Sequence, residues 1–441
     1  MKFFVCCMVL AMVAMVSHAQ PVNKKVADAG LQPAVLVNYK NPKNILLAPG
    51  TNQLSFSLDG GRSWNETRVQ SPYGAFGDAV LVSGPKGTVY YFHLPDANAK
   101  GKVLDRIICQ ASEDGGKHWN LGAAIGNNPP KEQLHLRAVA HPAKSGVCLT
   151  WTQFDKYKQN DTTCQTNVLF AYSSNGEKWD KPVQLNQLSG DCLDGDNSVS
   201  GAIPVMDDTK KIFVAWSTKK GLFLDRSFDE GKNWLVNDLP ILKQLATQMI
   251  IPGIGSLPRV PILAIDNSDS FFKNSLYVAW ADQRNGPKDT DIWFLRSTNR
   301  GDYWTASPLR VNKDAPGKHQ FMPWMVVDPK TGVIYLAYYD RRNYDDNQTD
   351  VYLAFSTDGG DKFQEKKISD TPFIPVEDKP FGDYLSLSAD QGMIAVAWVR
   401  MDEGKTSVVV SLTRQEEIIK PEEMPVLRNM KKRSPPPSRV K

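Results

Sequence analysis

The segment Ser57-Leu58-Asp59-Gly60-Gly61-Arg62-Ser63-Trp64 is the first of six copies of one short pattern in the chain. Each copy runs from a serine through Asp or Asn and Gly to an aromatic residue. We call all six the turn repeats; the others are Ser112 to Trp119, Ser173 to Trp179, Ser227 to Trp234, Ser297 to Trp304 and Ser356 to Phe363. Their starts are 54 to 70 residues apart, which indicates one repeated structural unit.

Each turn repeat has the composition of a β-hairpin turn. An alternating apolar strand precedes it, as in Asp350 to Phe355. The Asp or Asn side chain can accept hydrogen bonds from backbone amides of the turn, and Gly adopts a positive φ without steric cost. The closing aromatic residue is expected to fold beneath the turn, so its predicted role is core packing rather than ligand stacking.

The period of the repeat suits a four-stranded sheet with its loops, which is one blade of a β-propeller. Seven such units can be placed on the chain, at residues 33–69, 76–121, 136–185, 201–240, 259–311, 321–368 and 382–418. The last unit has no turn repeat and no clear fourth strand. A strand within residues 22–29 would complete it and close the ring, which removes an exposed sheet edge. The sequence therefore predicts an all-β propeller of seven four-stranded blades, with six blades as the alternative.

Composition and charge limit the classes of partner. Of 441 residues, 41% are hydrophobic and 23% are charged, with a formal net charge of +4, a composition typical of globular chains. Because Lys2 and six residues between Arg428 and Lys441 are basic, the body of the chain is slightly acidic. Nucleic acid is therefore not an expected partner, since binding it needs a basic surface. Residues 420–441 are expected to be a disordered basic tail, and residues 20–419 a single propeller.

The N-terminus has the three zones of a secretory signal peptide. Lys2 is followed by the apolar run Phe3 to Val16 and then by Ser17-His18-Ala19. We expect residues 1–19 to be cleaved after Ala19, which makes the protein secreted or periplasmic. The alternative, a membrane anchor, is disfavoured because a span needs about 20 apolar residues. No transmembrane anchor is expected.

Four cysteines lie beyond the signal peptide. Cys164 and Cys192 occur in polar loops and are the candidate pair for a disulfide in an oxidising compartment, whereas Cys109 and Cys148 occur in apolar, strand-like runs and are expected to be buried free thiols. The acidic loop Asp191 to Asp196 lacks the full ligand spacing of a calcium loop. We expect no metal and no cofactor.

The turn repeats resemble the Asp-box, or bacterial neuraminidase repeat, of the sialidase superfamily, and the resemblance covers essentially the whole mature chain. Further similar segments are Tyr277 to Arg284, Asp289 to Trp293, Tyr338 to Arg342 and Phe381 to Tyr384. The resemblance implies a sialidase-like propeller in which clustered arginines bind a substrate carboxylate, a Tyr–Glu pair is the nucleophile and an Asp is the acid/base. The aromatic-Arg-Ile-Pro motif of the family's first blade is absent; its nearest equivalent is Pro258-Arg259-Val260-Pro261, in the fifth unit.

Propeller topology predicts where a functional site lies. If the turn repeats join the third and fourth strands, the starts of the first strands and the second-to-third connections lie at the opposite face, around the axis. The catalytic candidates at that face are Asp78, Asp383 and Tyr384. The substrate-binding candidates are Arg137, Arg259, Asp282, Arg284, Asp340 and Arg341. For the Asp-Arg pairs of the connections, the alternative is a salt bridge between neighbouring blades.

The resemblance and the candidates together predict a secreted, sialidase-like glycan-binding protein, with activity as an exo-glycosidase that removes a terminal sialic acid-type sugar. We expect a carbohydrate ligand and a monomer. One alternative is a non-catalytic recognition or scaffold propeller. Another is a polysaccharide-chain hydrolase, which requires two carboxylates roughly 5 to 9.5 Å apart and no arginine cluster.

Overall fold

The computed structural model describes residues 22–28, 30–96, 103–195, 197–243, 249–420 and 423. The predicted signal peptide, residues 1–19, lies outside the described residues, as does all of the predicted tail except residues 420 and 423. Within the described residues, no helix is long and apolar enough to cross a membrane.

The described chain forms seven four-stranded antiparallel sheets, named blades 1 to 7. Blade 1 contains β2 (Ala34–Val37), β3 (Ile45–Ala48), β4 (Gln53–Ser57) and β5 (Asn65–Arg68). Blade 2 contains β6 (Phe76–Ser83), β7 (Val89–Leu94), β8 (Ile107–Ser112) and β9 (Ala123–Ile125). Blade 3 contains β10 (Glu132–Ala140), β11 (Val147–Phe154), β12 (Thr166–Ser173) and β13 (Val183–Gln184). Blade 4 contains β14 (Ser200–Met206), β15 (Ile212–Thr218), β16 (Gly221–Ser227) and β17 (Leu239–Lys243).

The remaining blades follow in chain order. Blade 5 contains β20 (Ile262–Ile265), β21 (Leu276–Asp282), β22 (Asp291–Ser297) and β23 (Leu309–Arg310). Blade 6 contains β24 (Gln320–Val327), β25 (Ile334–Asp340), β26 (Asp350–Ser356) and β27 (Gln364–Lys367). Blade 7 contains β28 (Ser386–Asp390), β29 (Met393–Asp402), β30 (Lys405–Arg414) and the N-terminal β1 (Val22–Ala27). A separate hairpin, β18 (Met249–Ile251) and β19 (Gly255–Leu257), lies between blades 4 and 5, and α1 (Gln415–Ile418) follows β30.

The N-terminal strand closes the ring, as the sequence predicted. β1 pairs antiparallel with β30, so that Val22 lies opposite Leu412. The first strands of successive blades contact one another in a circle, and β28 of blade 7 contacts β2 of blade 1. The fold is therefore a seven-bladed propeller, and the six-bladed alternative is wrong.

The core lies between the blades and is supplied mainly by their second strands. Every residue of β11, β21 and β25 is buried. Four second strands each contribute a fully buried tryptophan: Trp151, Trp216, Trp280 and Trp398. Continuous apolar runs are expected where both faces of a strand are covered, and packing of adjacent blades covers both faces here.

The turn repeats join the third and fourth strands, and in all six the serine hydroxyl accepts the glycine amide and donates to the Asp or Asn side chain. In the fourth repeat the hydroxyl of Ser227 accepts the amide of Gly231 at 2.9 Å and donates to Asp229 at 2.8 Å. The indole of Trp234 donates to the Gly231 carbonyl at 2.9 Å. Hydrogen bonds from Asn233 hold the pKa of Asp229 at about 2. The predicted hairpin turn is confirmed.

Each turn repeat also fixes its blade to the preceding one. Gly231 has φ +86°, and a Cβ at this position would collide with the Phe170 ring of blade 3. The same ring meets Trp234 edge-on, with the ring centroids 4.9 Å apart. The corresponding glycines, Gly61, Gly116, Gly176, Gly301 and Gly360, lie equally close to Leu412, Leu46, Tyr90, Leu224 and Phe294 of their preceding blades. The repeats therefore set the contact between blades as well as the local turn.

Candidate functional site

A cavity of about 310 Å³ lies on the propeller axis at the face opposite the turn repeats. This position follows from the antiparallel order: a first strand begins at the face where a third strand begins, and the turn repeat follows the end of the third strand. All seven blades contribute to the lining. Their contributions are Gln32; Asp78; His135 and Arg137; Ser200 and Gly201; Arg259 and Ile262; Met322 and Trp324; and Asp383 and Tyr384.

Four first strands are interrupted where they reach the cavity. The pairing with the second strand shifts register between Phe76 and Val80, Leu134 and Arg137, Ser200 and Ile203, and Phe321 and Trp324. Within these bulges Asp78, His135, Gly201 and Met322 have φ of +43°, +56°, +71° and +50°. Three of the four are not glycine, and such backbone strain is concentrated at functional sites. The bulges bring side chains of the innermost strands into the cavity wall.

Asp78 is a buried carboxyl in this wall. Its Oδ2 accepts the backbone amide of His135 at 2.7 Å, and its own amide donates to Gln32 Oε1 at 2.7 Å. Burial raises the pKa of Asp78 above its usual value, against the opposing charges of His135 and Arg137, and Asp383 adds to the increase. A carboxyl of this kind retains its proton to higher pH than an exposed one and is suited to act as a general acid.

Arg137 is a buried cation that lies against two neighbouring aromatic rings, whose centroids are 5.7 Å apart. Its guanidinium carbon lies 4.5 Å from the centre of the Tyr384 ring and 5.3 Å from that of the Trp324 ring. Nη1 donates to the Leu136 carbonyl at 2.6 Å, whereas Nε is buried without a hydrogen-bond partner among the described residues. Stacking on ring faces stabilises a desolvated guanidinium. Arg137 can therefore offer a positive charge to a ligand in the cavity.

The same three side chains form the floor of the cavity. Arg137, Trp324 and Tyr384 also line a second space of about 280 Å³, which continues along the axis between the first strands. These three side chains separate the cavity from this second space, which we call the inner channel.

Tyr384 does not have the surroundings of a nucleophile. Its hydroxyl lies 3.4 Å from the Ala79 carbonyl, to which it donates. Burial raises its pKa far above the usual value, which disfavours the phenolate. No glutamate occurs among the described residues that line the cavity. A Tyr–Glu pair does exist between Tyr338 and Glu365 of blade 6, but neither residue lines the cavity.

Asp383 and Arg259 complete the charged lining. Asp383 is exposed, and its Oδ2 accepts Nε2 of Gln32 at 3.0 Å. Gln32 therefore links the carboxylate of Asp383 to the backbone of Asp78. Arg259 is half-buried and precedes β20, in the segment that resembles the missing first-blade motif.

The predicted residues of the second-to-third connections do not line the cavity. Arg284 pairs with Asp282 at 2.6 Å and stacks on Trp293 at 4.3 Å. Arg341 is buried and donates to Thr349 at 3.0 Å, and burial lowers its pKa to about 10.

Asp340 is likewise occupied elsewhere, in a salt bridge of 2.7 Å with Arg342. Salt bridges do form at these connections, although for Asp340 the partner is Arg342 and not Arg341. The bridges lie within one hairpin, however, because each arginine follows its aspartate by two residues. They do not join neighbouring blades.

Sequence reasoning missed a chain of polar contacts in blade 3. The Tyr157 hydroxyl donates to Asp194 Oδ2 at 2.9 Å, and Asp194 Oδ1 lies 3.5 Å from His135 Nε2. His135 Nδ1 is 3.3 Å from the Ser200 hydroxyl. The loops that carry Tyr157 and Asp194 are joined by a disulfide between Cys164 and Cys192, which confirms the predicted cysteine pair. The two cysteines were therefore the feature of the sequence that could have brought these loops together. Cys109 and Cys148 are free and buried, as expected.

Comparisons with known proteins give no activity for this chain. No family model matches the chain, and no curated protein matches it significantly. Among solved structures, the α-L-arabinofuranosidase Arb93A of Fusarium graminearum is 15% identical, with 90% of this chain and 99% of that chain covered and a TM-score of 0.47. The Trypanosoma rangeli sialidase is 12% identical, with 94% and 63% covered and a TM-score of 0.48.

The α-L-arabinanase of Penicillium chrysogenum is 13% identical, with 90% and 97% covered and a TM-score of 0.46. These identities and scores are too low to transfer an activity or a residue role. Within the described residues, no group of three His, Cys, Asp or Glu side chains could hold a metal ion. The site is therefore interpreted from its own geometry: a buried acid, a stacked arginine, a second arginine and an exposed carboxylate around one axial cavity.

Proposed function

We propose that this protein binds a terminal acidic sugar in the axial cavity and hydrolyses its glycosidic bond. One observation carries the proposal: a buried carboxyl with a raised pKa, Asp78, lies in the same cavity as the aromatic-stacked Arg137. A general acid and a carboxylate-binding arginine are two elements that hydrolysis of an acidic glycoside needs, and a second carboxylate is the third.

The residues divide the chemistry as follows. Arg137 and Arg259 bind the carboxylate of the sugar. Asp78 donates its proton to the oxygen of the leaving group, and Asp383 accepts a proton from the water that attacks the anomeric carbon. Tyr384 holds Arg137 in place through its ring and has no covalent role.

Replacement of Asp78 tests this assignment. Asp78→Asn keeps an acceptor for the His135 amide but removes the proton that is donated. We expect release of the fluorophore from a fluorogenic sialoside to fall by about 10²- to 10⁴-fold. Asp225→Asn is the matched control, because Asp225 is buried, its pKa is raised by burial to about 6, and it lies outside the cavity. A full rate in Asp78→Asn, or an equal loss in both variants, contradicts the assignment.

The pH profile provides an independent check. Because the acid form of Asp78 is the active one and its pKa is raised, kcat/KM should persist above the usual carboxyl range and fall as pH rises through that pKa. The alkaline fall should disappear from the residual activity of Asp78→Asn. An unchanged fall would assign it to another group.

A second candidate function is glycan recognition without hydrolysis. It is favoured by the Tyr384 hydroxyl, which is held on the Ala79 carbonyl with no glutamate in the described lining. Glycan-array binding that is abolished by Arg137→Lys, together with no product from any bound glycan and normal thermal unfolding, would establish this function in place of hydrolysis.

We also propose that the protein acts outside the cytoplasm. The Cys164–Cys192 disulfide fits an oxidising compartment, and the sequence from Lys2 to Ala19 fits an export signal. N-terminal sequencing of the exported protein should begin at Gln20. Recovery of uncleaved chain from the cytoplasm would contradict this location.

A further inference from the structure

A groove of about 840 Å³ opens directly from the cavity and runs over blades 7, 1 and 2. The two spaces share six lining residues: Gln32, Asp78, Leu134, Tyr157, Ser256 and Asp383. Both proposed reacting carboxyls, Asp78 and Asp383, thus lie at the junction. A group attached to a sugar in the cavity through the bond next to Asp78 can therefore extend into the groove.

Five of the described glycines line the groove: Gly30, Gly50, Gly77, Gly382 and Gly404. Gly382 has φ +100°, and a Cβ there would collide with the Leu31 carbonyl; a Cβ at Gly30 would lie 2.6 Å from the Pro49 carbonyl. Backbone segments therefore pack closely at these two glycines, which leaves no room for a side chain at either position.

The walls of the groove are mainly apolar. Phe76 is 56% exposed and Leu31 is 36% exposed, and Leu94, Leu104, Ile254 and Phe381 line the same space. Among the described residues that line the groove, the polar side chains beyond the six shared residues are those of Thr51, Lys379 and Thr406. A chain of sugars needs hydrogen-bonding groups at each unit, whereas an apolar chain gains from burial alone.

We infer that the groove holds an apolar leaving group, so that the substrate is a glycoside of an acidic sugar with a hydrocarbon aglycone, as in a glycolipid. The inference rests on the proposed function for the sugar in the cavity. It adds the class of molecule from which that sugar is released. Phe76 is the specificity-determining side chain for the aglycone, because it is the most exposed apolar residue of the lining.

Alkyl glycosides of one acidic sugar test the inference. For methyl, butyl and octyl glycosides below their micelle concentrations, kcat/KM of the wild-type protein should rise with chain length, by roughly ten-fold or more from methyl to octyl and mainly through KM. Phe76→Ala should reduce that ratio several-fold. Phe271→Ala is the matched control, since Phe271 is 79% exposed on the face of the turn repeats; it should leave the ratio unchanged.

Other outcomes separate the inference from the proposed function. Equal kcat/KM along the series, or a preference for a sugar as the leaving group, overturns the apolar groove and leaves hydrolysis intact. If no glycoside is hydrolysed, the proposed function is contradicted. Titration calorimetry with the methyl and octyl glycosides then tests the groove independently of hydrolysis. Tighter binding of the octyl glycoside that is lost in Phe76→Ala supports the groove, and equal binding contradicts it.

Discussion

The two faces of the propeller are built in different ways from the same blades. On one face, six turns repeat one hydrogen-bond pattern, and each turn carries a glycine in contact with the preceding blade. On the other face, each blade contributes a different residue to the cavity, and four of the innermost strands are bulged. We call the face of the turn repeats the repeated face and the face of the cavity the varied face. The difference indicates that the repeated face holds the blades together and that the varied face carries the candidate functional residues.

The comparison predicts its largest stability effect at a glycine of the repeated face. Gly231→Ala adds a Cβ that collides with Phe170 at a positive φ, so we expect a loss of about 3 kcal/mol or more in the free energy of unfolding. Gly317 also has a positive φ, +98°, but has open space around it. Gly317→Ala should therefore cost only about 1 kcal/mol. Equal losses in denaturant unfolding would show that the turn does not fix the contact between blades.

A substitution on the varied face should change ligand affinity and leave the stability of the fold unchanged. Arg137→Lys keeps the charge but loses the planar group that lies against the rings of Tyr384 and Trp324. We expect affinity for the acidic sugar to fall by roughly ten- to hundred-fold, about 1.5 to 3 kcal/mol, with little change in thermal unfolding. Titration calorimetry measures the first quantity. Unchanged affinity would remove Arg137 from the binding site.

A buried carboxyl between the two faces gives a pH-dependent stability. Asp390 ends β28, lines the inner channel and is 3% exposed; burial raises its pKa to about 7. Between about pH 4 and pH 7 the unfolded chain releases this proton and the folded chain retains it, so stability falls as pH rises. Asp390→Asn should remove that fall, which amounts to at most about 4 kcal/mol over these three pH units. Parallel stability profiles of the two proteins from pH 4 to pH 8 would contradict the expectation.

The smallest expected effect concerns the closing aromatic residue of a turn repeat. Trp234→Phe keeps a ring against Phe170 but loses the 2.9 Å hydrogen bond to Gly231. The sixth repeat already has Phe363 at this position, with the same edge-on contact to Phe294. We expect a loss of about 1 kcal/mol with unchanged ligand binding. A loss as large as that of Gly231→Ala would make the indole nitrogen essential to the turn.

The fold was predictable because its determinants are local and repeated. A serine, an acidic or amide residue and a glycine at fixed spacing define a turn wherever they occur, and six copies give the number and order of most blades. The closing strand β1 was predictable from the need to remove a sheet edge. Asp78, Arg137, Arg259, Asp383 and Tyr384 were placed together by the same topology.

The rest of the site depends on contacts that are distant in sequence. A left-handed φ at Asp78, His135 or Met322 is not signalled by residue type, because it arises from the register between two strands. The guanidinium of Arg284 lies on the Trp293 ring and therefore does not reach the cavity. Trp324 was visible in the sequence, but its place beneath Arg137 required the bulge before it.

A crystal structure of the protein with an unhydrolysed acidic sugar bound would test most directly the claim that the axial cavity is the binding site. We predict electron density for the sugar in the axial cavity, with its carboxylate on Arg137 and its glycosidic oxygen within hydrogen-bond distance of Asp78. Density for the sugar on the face of the turn repeats, or at the outer edge of a blade with the cavity empty, would contradict the account.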